Sequence, residues 1–283
     1  MTILLLEDRY PLELLEGFEV VHTPQEDVVA VLTIDEPVDA ELMNRLPSLR
    51  VVATATVGFD HIDVDAADER GVAVVSVPEY CTQEVADHAL ALLYALTRGV
   101  VTLDADVRRG AWNPKAAGPL RRLAELRVGI VGLGRIGNAV ATRLLALGAE
   151  VWAHDIVPVA RDGVRFVELD ELLAACDAIT LHVPLTRETR NLIGRAQIAT
   201  MKRDAYLVNT ARGAVVDVGA VLEALHAGRL GGAALDVLPG EPPPLAPLAP
   251  RLVLTPHAAW YSEAAEERSY RLAVARVREL LGA

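Results

Sequence analysis

Two patterns of apolar and polar residues alternate along the chain. Short runs in which nearly every residue is apolar are typical of parallel strands that are covered on both faces. In the first third of the chain, such runs occupy residues 3–6, 28–33, 50–55 and 72–75, with helical patterns between them, as at residues 39–45 and 64–70. A longer helical pattern at residues 82–100 is apolar on nearly all sides, which predicts a helix that is buried or that bridges two lobes.

A second alternating series begins at residue 127. Strands are predicted at residues 127–131, 150–154, 178–182, 205–209, 232–235 and 252–254, with helices between most of them, including residues 136–147. Residues 239–250 hold six prolines, which favours an ordered connecting loop over a PxxP recognition motif. A final amphipathic helix is predicted at residues 262–280. This alternation predicts an α/β fold with two doubly wound parallel-sheet domains.

Composition narrows the class of protein. The 283 residues carry a formal charge of −12, and lysine occurs only at Lys115 and Lys202, which argues against a nucleic-acid binder or a polybasic membrane anchor. No apolar run reaches the ~18 residues of a membrane helix, and we expect no secretory signal. The two cysteines, Cys81 and Cys176, form no CxxC pair, so we expect no metal site, no disulfide framework and a cytoplasmic location.

A glycine-rich segment, VGIVGLGRIG at residues 128–137, follows a predicted strand and opens a predicted helix. In that context Gly132 permits a tight turn, Gly134 lets the backbone approach a pyrophosphate, and Gly137 lets the helix pack close to the strand. The helix N-terminus then offers free N–H groups to the phosphates. Asp155, 23 residues after Gly132, closes the next strand and can accept hydrogen bonds from ribose hydroxyls. Its charge favours NAD over NADP, although Arg161 lies near enough in sequence to leave strict selectivity open.

The position of this fingerprint predicts the domain organisation. Because it begins near the middle of the chain, the Rossmann domain is expected as an insertion, at residues 97–263. Residues 1–96 and 264–283 then form a discontinuous, flavodoxin-like substrate domain. The helices at residues 82–100 and 262–280 are the two crossings between these domains.

Three polar segments follow predicted strands and therefore lie at the C-terminal edge of the sheet, where ligands bind. They carry Arg212, Glu241 and His257. Reduction of a 2-keto acid requires a cation for the carboxylate, a proton for the developing alkoxide and a hydride. Arg212 can hold carboxylate and carbonyl oxygens in a bidentate manner, and His257 can transfer a proton near neutral pH. Glu241 beside it would favour the imidazolium and fix its tautomer.

At these residues the sequence resembles the D-isomer-specific 2-hydroxyacid dehydrogenase family. The resemblance covers nearly the whole chain, through VGFDHIDVDAADERGV, the glycine fingerprint, LHVPLTRETRNLIG, NTARGAVVD, LDVLPGEP and TPHAAW. The segments VPEYCTQEVADHAL and PHAAWYSE look most like the C-terminal-binding-protein-like branch of that family. The resemblance implies that Arg212 binds substrate, that His257 is the acid/base group and that Glu241 is its partner.

The resemblance also implies binding residues for cofactor and substrate. Asp236 would contact the nicotinamide carboxamide, with Thr210 and Cys81 nearby, whereas His154 and His182 could line the site or be core histidines. The implied NAD-binding set is Cys81, Gly132, Gly134, Arg135, Ile136, Gly137, Asp155, His182, Val183, Pro184, Thr189, Thr210, Ala211, Arg212, Asp236, His257 and Ala259. The implied substrate-binding set is Val57, Gly58, Arg212, His257 and Trp260, where the backbone amides of Val57 and Gly58 hold the carboxylate.

The residues also allow alternatives for the activity, the oligomeric state and the role of one arginine. An NAD(H)-sensing regulatory protein is the alternative to a dehydrogenase, and formate oxidation is disfavoured because Glu241 is a carboxylate. The segment at residues 103–109 resembles the family arm that packs on a partner, which predicts a homodimer. Arg9 either binds a second substrate anion or is a solvated loop charge. The first lobe is shorter than usual before Gly58 and the stretch from Asp155 to Cys176 is trimmed, which leaves the substrate pocket undetermined, and we expect no appended regulatory domain.

Overall fold

The computed structural model describes residues 1–157, 160–243 and 249–283, so the middle of the proline-rich segment that we predicted as a connecting loop lies outside the described residues. The strands are β1 Thr2–Leu5, β2 Glu19–Val21, β3 Val28–Thr33, β4 Val51–Thr54, β5 Ala73–Val75, β6 Arg127–Val131, β7 Glu150–His154, β8 Val164–Phe166, β9 Ala178–Leu181, β10 Ala205–Asn209, β11 Leu230–Leu235 and β12 Leu252–Leu254. The α-helices are α1 Ala40–Asn44, α2 Val64–Glu69, α3 Thr82–Thr97, α4 Val100–Arg108, α5 Arg135–Ala146, α6 Leu169–Ala175, α7 Arg195–Thr200, α8 Val218–His226 and α9 Glu263–Leu281.

The chain divides into two compact units. The first contains Met1–Cys81 and Tyr261–Ala283, and the second contains Thr82–Trp260. These boundaries differ from the expected ones, at residues 96/97 and 263/264, chiefly because of α3. Its apolar side chains, such as Ala89 and Leu93, share a core with Val128 and Ile130 of β6. Helix α3 therefore belongs to the second unit.

The first unit is built on a five-stranded parallel sheet in the order β2-β1-β3-β4-β5. This is the flavodoxin-like order, with its switch point between β1 and β3. Leu4, Val31 and Val52 of the three central strands are fully or almost fully buried together with Met43 of α1. Asp39 and Asp63 cap α1 and α2 by accepting hydrogen bonds from Leu42 N (2.8 Å) and Ala66 N (3.0 Å).

The second unit contains a seven-stranded parallel sheet in the order β12-β11-β10-β9-β6-β7-β8. Numbered from β6, this is the Rossmann order, and the strand order reverses between β6 and β9. One face of the sheet packs against α3 and α5, and the other packs against α6, α7 and α8. Both sheets are thus parallel and doubly wound, and the predicted fold class is confirmed.

Two details differ from the sequence prediction. The apolar pattern at residues 82–100 does not form one helix, because α3 ends at Thr97 and Gly99 has a φ of +61°, after which α4 begins. The strands β2 and β8 were not predicted. Each has three residues, lies at a sheet edge and contains no fully buried residue, so it lacks the continuous apolar run of a central strand.

Candidate active site

The glycine fingerprint forms the turn between β6 and α5 at the sheet's switch point. Gly132 has a φ of +90°, and a Cβ there would lie 2.6 Å from the carbonyl oxygen of His182. A Cβ on Gly137 would lie 2.0 Å from the carbonyl oxygen of Gly132, so α5 can approach the turn only with glycine there. A Cβ on Gly134, in contrast, would have no atom within 4 Å. Backbone atoms are therefore packed against Gly132 and Gly137, whereas the space beside Gly134 is open.

This open position fits a pyrophosphate. Gly134 is the N-cap of α5, and no side chain caps the helix there, so its first N–H groups are available to an anion. Arg135 and Ile136, the first two residues of α5, supply two of those N–H groups. Behind the turn, the Asn138 amide donates to the carbonyl oxygens of Leu133 and Gly134 and thereby fixes the backbone.

Asp155 directly follows β7 and faces the fingerprint. Its Oδ2 accepts a hydrogen bond from Leu133 N at 2.6 Å, and its Oδ1 accepts one from Val157 N at 3.0 Å. The carboxylate therefore stands at the edge of the turn, as expected of a ribose-binding acid. Arg161 is the residue that leaves strict selectivity for NAD over NADP undecided in the sequence. Its guanidinium is hydrogen-bonded to the side chains of Asn138 and Thr142 on α5.

The segment after β9 borders the turn. His182 Nε2 lies 2.9 Å from Thr180 Oγ1, and its Nδ1 is buried. Loss of solvent around the ring lowers its pKa to about 3, so the ring is neutral near pH 7. Val183 Cγ1 would be 2.9 Å from a Cβ on Gly132, which places this side chain beside the fingerprint. The Thr189 hydroxyl donates to Pro184 O at 2.6 Å and so closes the loop that follows.

The loop after β10 presents Arg212. Asn209 is fully buried, and its side chain donates to Arg212 O (3.0 Å) and accepts from Ala211 N (3.0 Å). A Cβ on Gly213 would lie 2.2 Å from the carbonyl carbon of Leu238, so this loop packs tightly against the backbone that leads to Glu241. Thr210 is buried, and its Oγ1 has no hydrogen-bond partner among the described residues, which fits a contact to a bound cofactor.

His257 and Glu241 form a direct pair. His257 Nδ1 lies 2.7 Å from Glu241 Oε2, and the side chains are 44% and 32% exposed, so both are accessible to a ligand. The hydrogen bond with Glu241 raises the pKa of His257, in opposition to burial. Burial opposes ionisation of Glu241, but the hydrogen bonds from His257 and Leu238 N outweigh it and lower the pKa of that carboxyl. The positive charge of Arg212 acts against the effect of Glu241 and lowers the pKa of His257.

Asp236 organises the turn that carries His257. The backbone of His257 has a φ of +52°, an uncommon value for a residue with a side chain. The buried Asp236 carboxylate accepts hydrogen bonds from Thr255 Oγ1 (2.5 Å), Ala258 N (2.9 Å) and Ala259 N (3.0 Å). The residues on both sides of His257 are thus bound to one carboxylate, which holds this conformation.

Sequence reasoning missed two contributors here. The sequence analysis assigns no role to His88, yet its Nε2 lies 3.1 Å from Thr255 Oγ1 and 3.5 Å from Asp236 Oδ1. It sits on α3, far away in sequence, and only the packing of α3 in the second unit reveals the contact. Asn209, in contrast, directly precedes the Arg212 loop, and its place at the end of a buried strand was a usable signal.

The predicted substrate-binding residues Val57 and Gly58 belong to the first unit, in the loop after β4. The Thr56 hydroxyl donates to Gly58 O at 2.6 Å and lies 2.8 Å from Thr54 Oγ1, which contacts Ile34 O at 3.3 Å. Ile34 N, in turn, donates to Glu7 Oε1 at 2.9 Å. A hydrogen-bonded chain therefore connects Glu7 to the Gly58 loop.

Other predicted residues are placed as follows. Arg9 forms an ion pair with Asp35 at 3.0 Å and both side chains are largely exposed, which supports a solvated loop charge. Cys81 is buried and ends the N-terminal segment of the first unit, Met1–Cys81. Trp260 is the last residue of the second unit. No cluster of metal-ligating side chains is found among the described residues. The helices in the described part of the chain are all too short or too polar to cross a membrane.

The fold and this site together define a dinucleotide-dependent dehydrogenase, and comparisons with known proteins identify which kind. The family described as "D-isomer specific 2-hydroxyacid dehydrogenase, NAD binding domain" matches residues 90–259. A glycerate dehydrogenase of Methylorubrum extorquens is 39% identical over 275 residues, which cover 92% of this chain and 86% of that protein. A glyoxylate reductase of Thermofilum pendens is 42% identical over 87% of this chain and 76% of that protein.

Among solved structures, a D-lactate dehydrogenase of Aquifex aeolicus complexed with NAD and lactic acid matches with a TM-score of 0.89. It is 28% identical, over 100% of this chain and 97% of that one. The chain therefore belongs to the D-isomer specific 2-hydroxyacid dehydrogenase family. It is an NAD-dependent oxidoreductase acting between 2-keto and 2-hydroxy acids, and these relatives do not support the NAD(H)-sensing alternative.

Proposed function

We propose that the chain reduces a small 2-keto acid to the D-2-hydroxy acid, and catalyses the reverse reaction, with Arg212, Glu241 and His257 as its catalytic residues. The observation that supports these roles best is the hydrogen bond of 2.7 Å between His257 Nδ1 and Glu241 Oε2. NAD(H), when bound, supplies or accepts the hydride. The protein supplies charge, orientation and a proton.

Proton transfer is assigned to His257. Glu241 accepts the Nδ1–H, which leaves Nε2 as the atom that faces the substrate. In the reductive direction, Nε2–H donates its proton to the substrate oxygen as negative charge develops there, and neutral Nε2 takes the proton back in oxidation. Glu241 stabilises the imidazolium, which is the form needed for reduction.

Substrate binding is assigned to Arg212 and the Gly58 loop. The planar guanidinium can donate two parallel hydrogen bonds to the carboxylate and carbonyl oxygens of a 2-keto acid. The Asn209 contacts fix the backbone on both sides of Ala211 and so limit the positions available to Arg212. The backbone amides of Val57 and Gly58 are the second carboxylate contact on this proposal, and Trp260 borders the substrate side chain.

Cofactor binding is assigned to the fingerprint turn and its neighbours. The amides at the start of α5 would hold the pyrophosphate, and Asp155 would accept hydrogen bonds from the ribose hydroxyls. The segment from His182 to Pro184, with Thr189, would flank the adenosine side. Thr210, Asp236, Ala259 and Cys81 would line the nicotinamide.

The relatives suggest which substrates to test first. They are named glycerate dehydrogenase and glyoxylate reductase, so we propose glyoxylate and hydroxypyruvate as substrates. NADH oxidation is measured with both, and with pyruvate, bulkier keto acids and 3-phosphohydroxypyruvate. Turnover of at least one of them supports the proposal, whereas inactivity on the whole panel, with NADH bound, contradicts it. His257→Ala should abolish turnover and leave NADH affinity nearly unchanged.

We also propose a homodimer formed through α4. This helix contains no buried residue, and it exposes Val100, Val101 and Val107, followed by Trp112, whose side chain is 87% exposed. Apolar side chains grouped in this way are typical of a surface that a partner covers. Light scattering should give the mass of two protomers, and Val107→Asp should shift it to one. A single-protomer mass for the unmodified protein would rule the dimer out.

A cytoplasmic location is proposed on the state of the cysteines. Cys81 and Cys176 are both free and buried, as expected of a protein that matures in a reducing compartment. Fractionation of cells that express the chain with a C-terminal tag tests this. Recovery in a periplasmic or secreted fraction would overturn it.

A further inference from the structure

A histidine outside the proposed catalytic set lies next to the turn that carries His257. His88 extends from α3, and its Nε2 is 3.1 Å from Thr255 Oγ1 and 3.5 Å from Asp236 Oδ1. Its side chain is 25% exposed, and that of Asp236 is fully buried. All three residues belong to the second unit. His88 lies within the segment VPEYCTQEVADHAL, but no catalytic or binding role is assigned to it above.

The direction of the hydrogen bonds follows from the chemistry of the three groups. The Asp236 carboxylate accepts two backbone N–H groups, from Ala258 and Ala259, as an ionised acid does. The Thr255 hydroxyl therefore donates its single hydrogen to Asp236 Oδ1, over 2.5 Å. Its oxygen is then an acceptor toward His88, so Nε2 of His88 must carry a hydrogen. The chain of donors runs from His88 to Thr255 to Asp236.

This chain determines how firmly the Asp236 carboxylate is held. With Thr255 and Ala258 on Oδ1 and Ala259 on Oδ2, the carboxylate has its orientation fixed, and one lone pair of Oδ2 remains for a further donor. Rotation of the carboxylate would release the N–H groups of residues 258 and 259. Those groups hold the left-handed conformation of His257, which has a φ of +52°.

We propose that His88 is a positioning residue for the acid/base histidine: it donates through the Thr255 hydroxyl to the Asp236 carboxylate and thereby holds the turn that aims His257 at the substrate. The proposal rests on the function of His257 given above. His88 itself touches neither substrate nor the reacting atoms. It acts on the rate of the chemical step, because small displacements of a proton-transfer group slow that step strongly.

The kinetic test uses four single variants and one double variant. His88→Leu removes the donor with little change in volume, and His88→Gln restores an N–H at similar reach. Thr255→Val removes the hydroxyl and Thr255→Ser keeps it. We expect His88→Leu and Thr255→Val each to lower kcat about ten- to hundredfold, with the KM for the keto acid and the NADH affinity changed by no more than about twofold. Gln and Ser should recover most of the loss.

The double variant separates a shared chain from two independent effects. His88→Leu combined with Thr255→Val should be no slower than the slower single variant, because either change breaks the same chain. Multiplicative losses, or a Gln variant as slow as the Leu variant, would overturn the proposal. His226→Gln, at an exposed histidine of α8, is the matched control and should retain wild-type kcat.

A measurement independent of turnover tests the hydrogen-bond direction. In protein labelled with ¹⁵N at histidine, the His88 resonance is identified by its loss in His88→Gln. It should show a hydrogen on Nε2, and the His257 resonance should move in Thr255→Val but not in Thr255→Ser. A His88 ring with its only hydrogen on Nδ1 would refute the chain even if the enzyme were active. Wild-type inactivity on every keto acid would instead refute the proposed function alone.

Discussion

His257 Nδ1 and Glu241 Oε2 lie 2.7 Å apart, although the two residues are 16 positions apart in the chain. The loop that contains Glu241 begins where Leu238 packs on Gly213, and the turn that contains His257 is bound to Asp236. The pair is therefore formed by two segments of backbone, each of which is held in place by contacts outside the pair.

Glu241→Gln should move the pH dependence of reduction. The hydrogen bond with Glu241 raises the pKa of His257, so the imidazolium persists to higher pH than in a free histidine. Reduction needs the imidazolium form of His257. The kcat for reduction is therefore highest below the raised pKa of His257 and falls as the pH rises through that pKa. Glutamine removes the negative charge, which lowers the pKa of His257. The alkaline limb of the plot of kcat against pH should therefore move to lower pH. Glu223→Gln, in an exposed ion pair with Arg195, is the control, and an unmoved limb in Glu241→Gln would contradict the assignment.

Arg212→Gln should move the same limb in the opposite direction. The positive charge of Arg212 lowers the pKa of His257, and its removal lets that pKa rise. The loss of a charged, bidentate contact should also reduce kcat/KM for the keto acid about ten- to hundredfold, with most of the change in KM. Arg212→Lys should keep the limb in place but still raise KM, because an ammonium cannot form the planar pair. If both substitutions left KM unchanged, Arg212 would not bind the substrate.

Gly137→Ala and Gly134→Ala should separate stability from cofactor binding. An alanine Cβ at position 137 would lie 2.0 Å from Gly132 O, so backbone must move, at a cost of about 1–3 kcal/mol. At position 134 there is open space and a φ of −68°, so folding should be unaffected. The Cβ would, however, occupy the pyrophosphate position. We expect a lower Tm for the first variant, and an unchanged Tm with weaker NADH binding for the second; a Gly134→Ala variant with normal NADH affinity would place the pyrophosphate elsewhere.

Asp155→Ser should weaken the preference for NADH over NADPH. The carboxylate stands beside Leu133 N in the fingerprint, where it would repel a 2′-phosphate. The ratio of kcat/KM for the two cofactors should fall roughly tenfold or more, since like-charge contacts cost several kcal/mol. Asp162→Ser, close in sequence but exposed, controls for net charge. An unchanged ratio would mean that Asp155 does not face the ribose.

Glu7→Ala should raise the KM for the keto acid and leave NADH affinity unchanged. Glu7 Oε1 accepts hydrogen bonds from three successive backbone N–H groups, of Ile34 (2.9 Å), Asp35 (2.8 Å) and Glu36 (2.9 Å). Ile34 O contacts Thr54 Oγ1, and the chain continues through Thr56 to the Gly58 loop. Loss of the first link should raise KM about three- to tenfold, and Glu7→Gln should raise it less. Equal KM values for the alanine variant and wild type would show that Glu7 has no influence on substrate binding by the Gly58 loop.

Local sequence was sufficient to predict several strands of both sheets and the glycine turn after β6. The observed bounds of β3, β6, β7, β10 and β12 coincide with the predicted ones, because parallel strands covered on both faces are continuous apolar runs. The fingerprint was readable because each glycine has its own steric reason, and these reasons recur at fixed spacing. The short edge strands β2 and β8 lack such a pattern and were missed.

The sequence by itself therefore determined the doubly wound fold and the NAD dependence, and it predicted the cofactor turn and the trio of Arg212, Glu241 and His257. Only the tertiary structure showed that α3 packs in the core of the second unit and brings His88 to Thr255. Only it showed that one buried carboxylate holds the left-handed turn at His257, and that Glu7 reaches Gly58 through four hydrogen bonds. The physical reason is range: strand runs and glycine turns are set by neighbouring residues, whereas these contacts join segments that approach only when the sheets and helices pack.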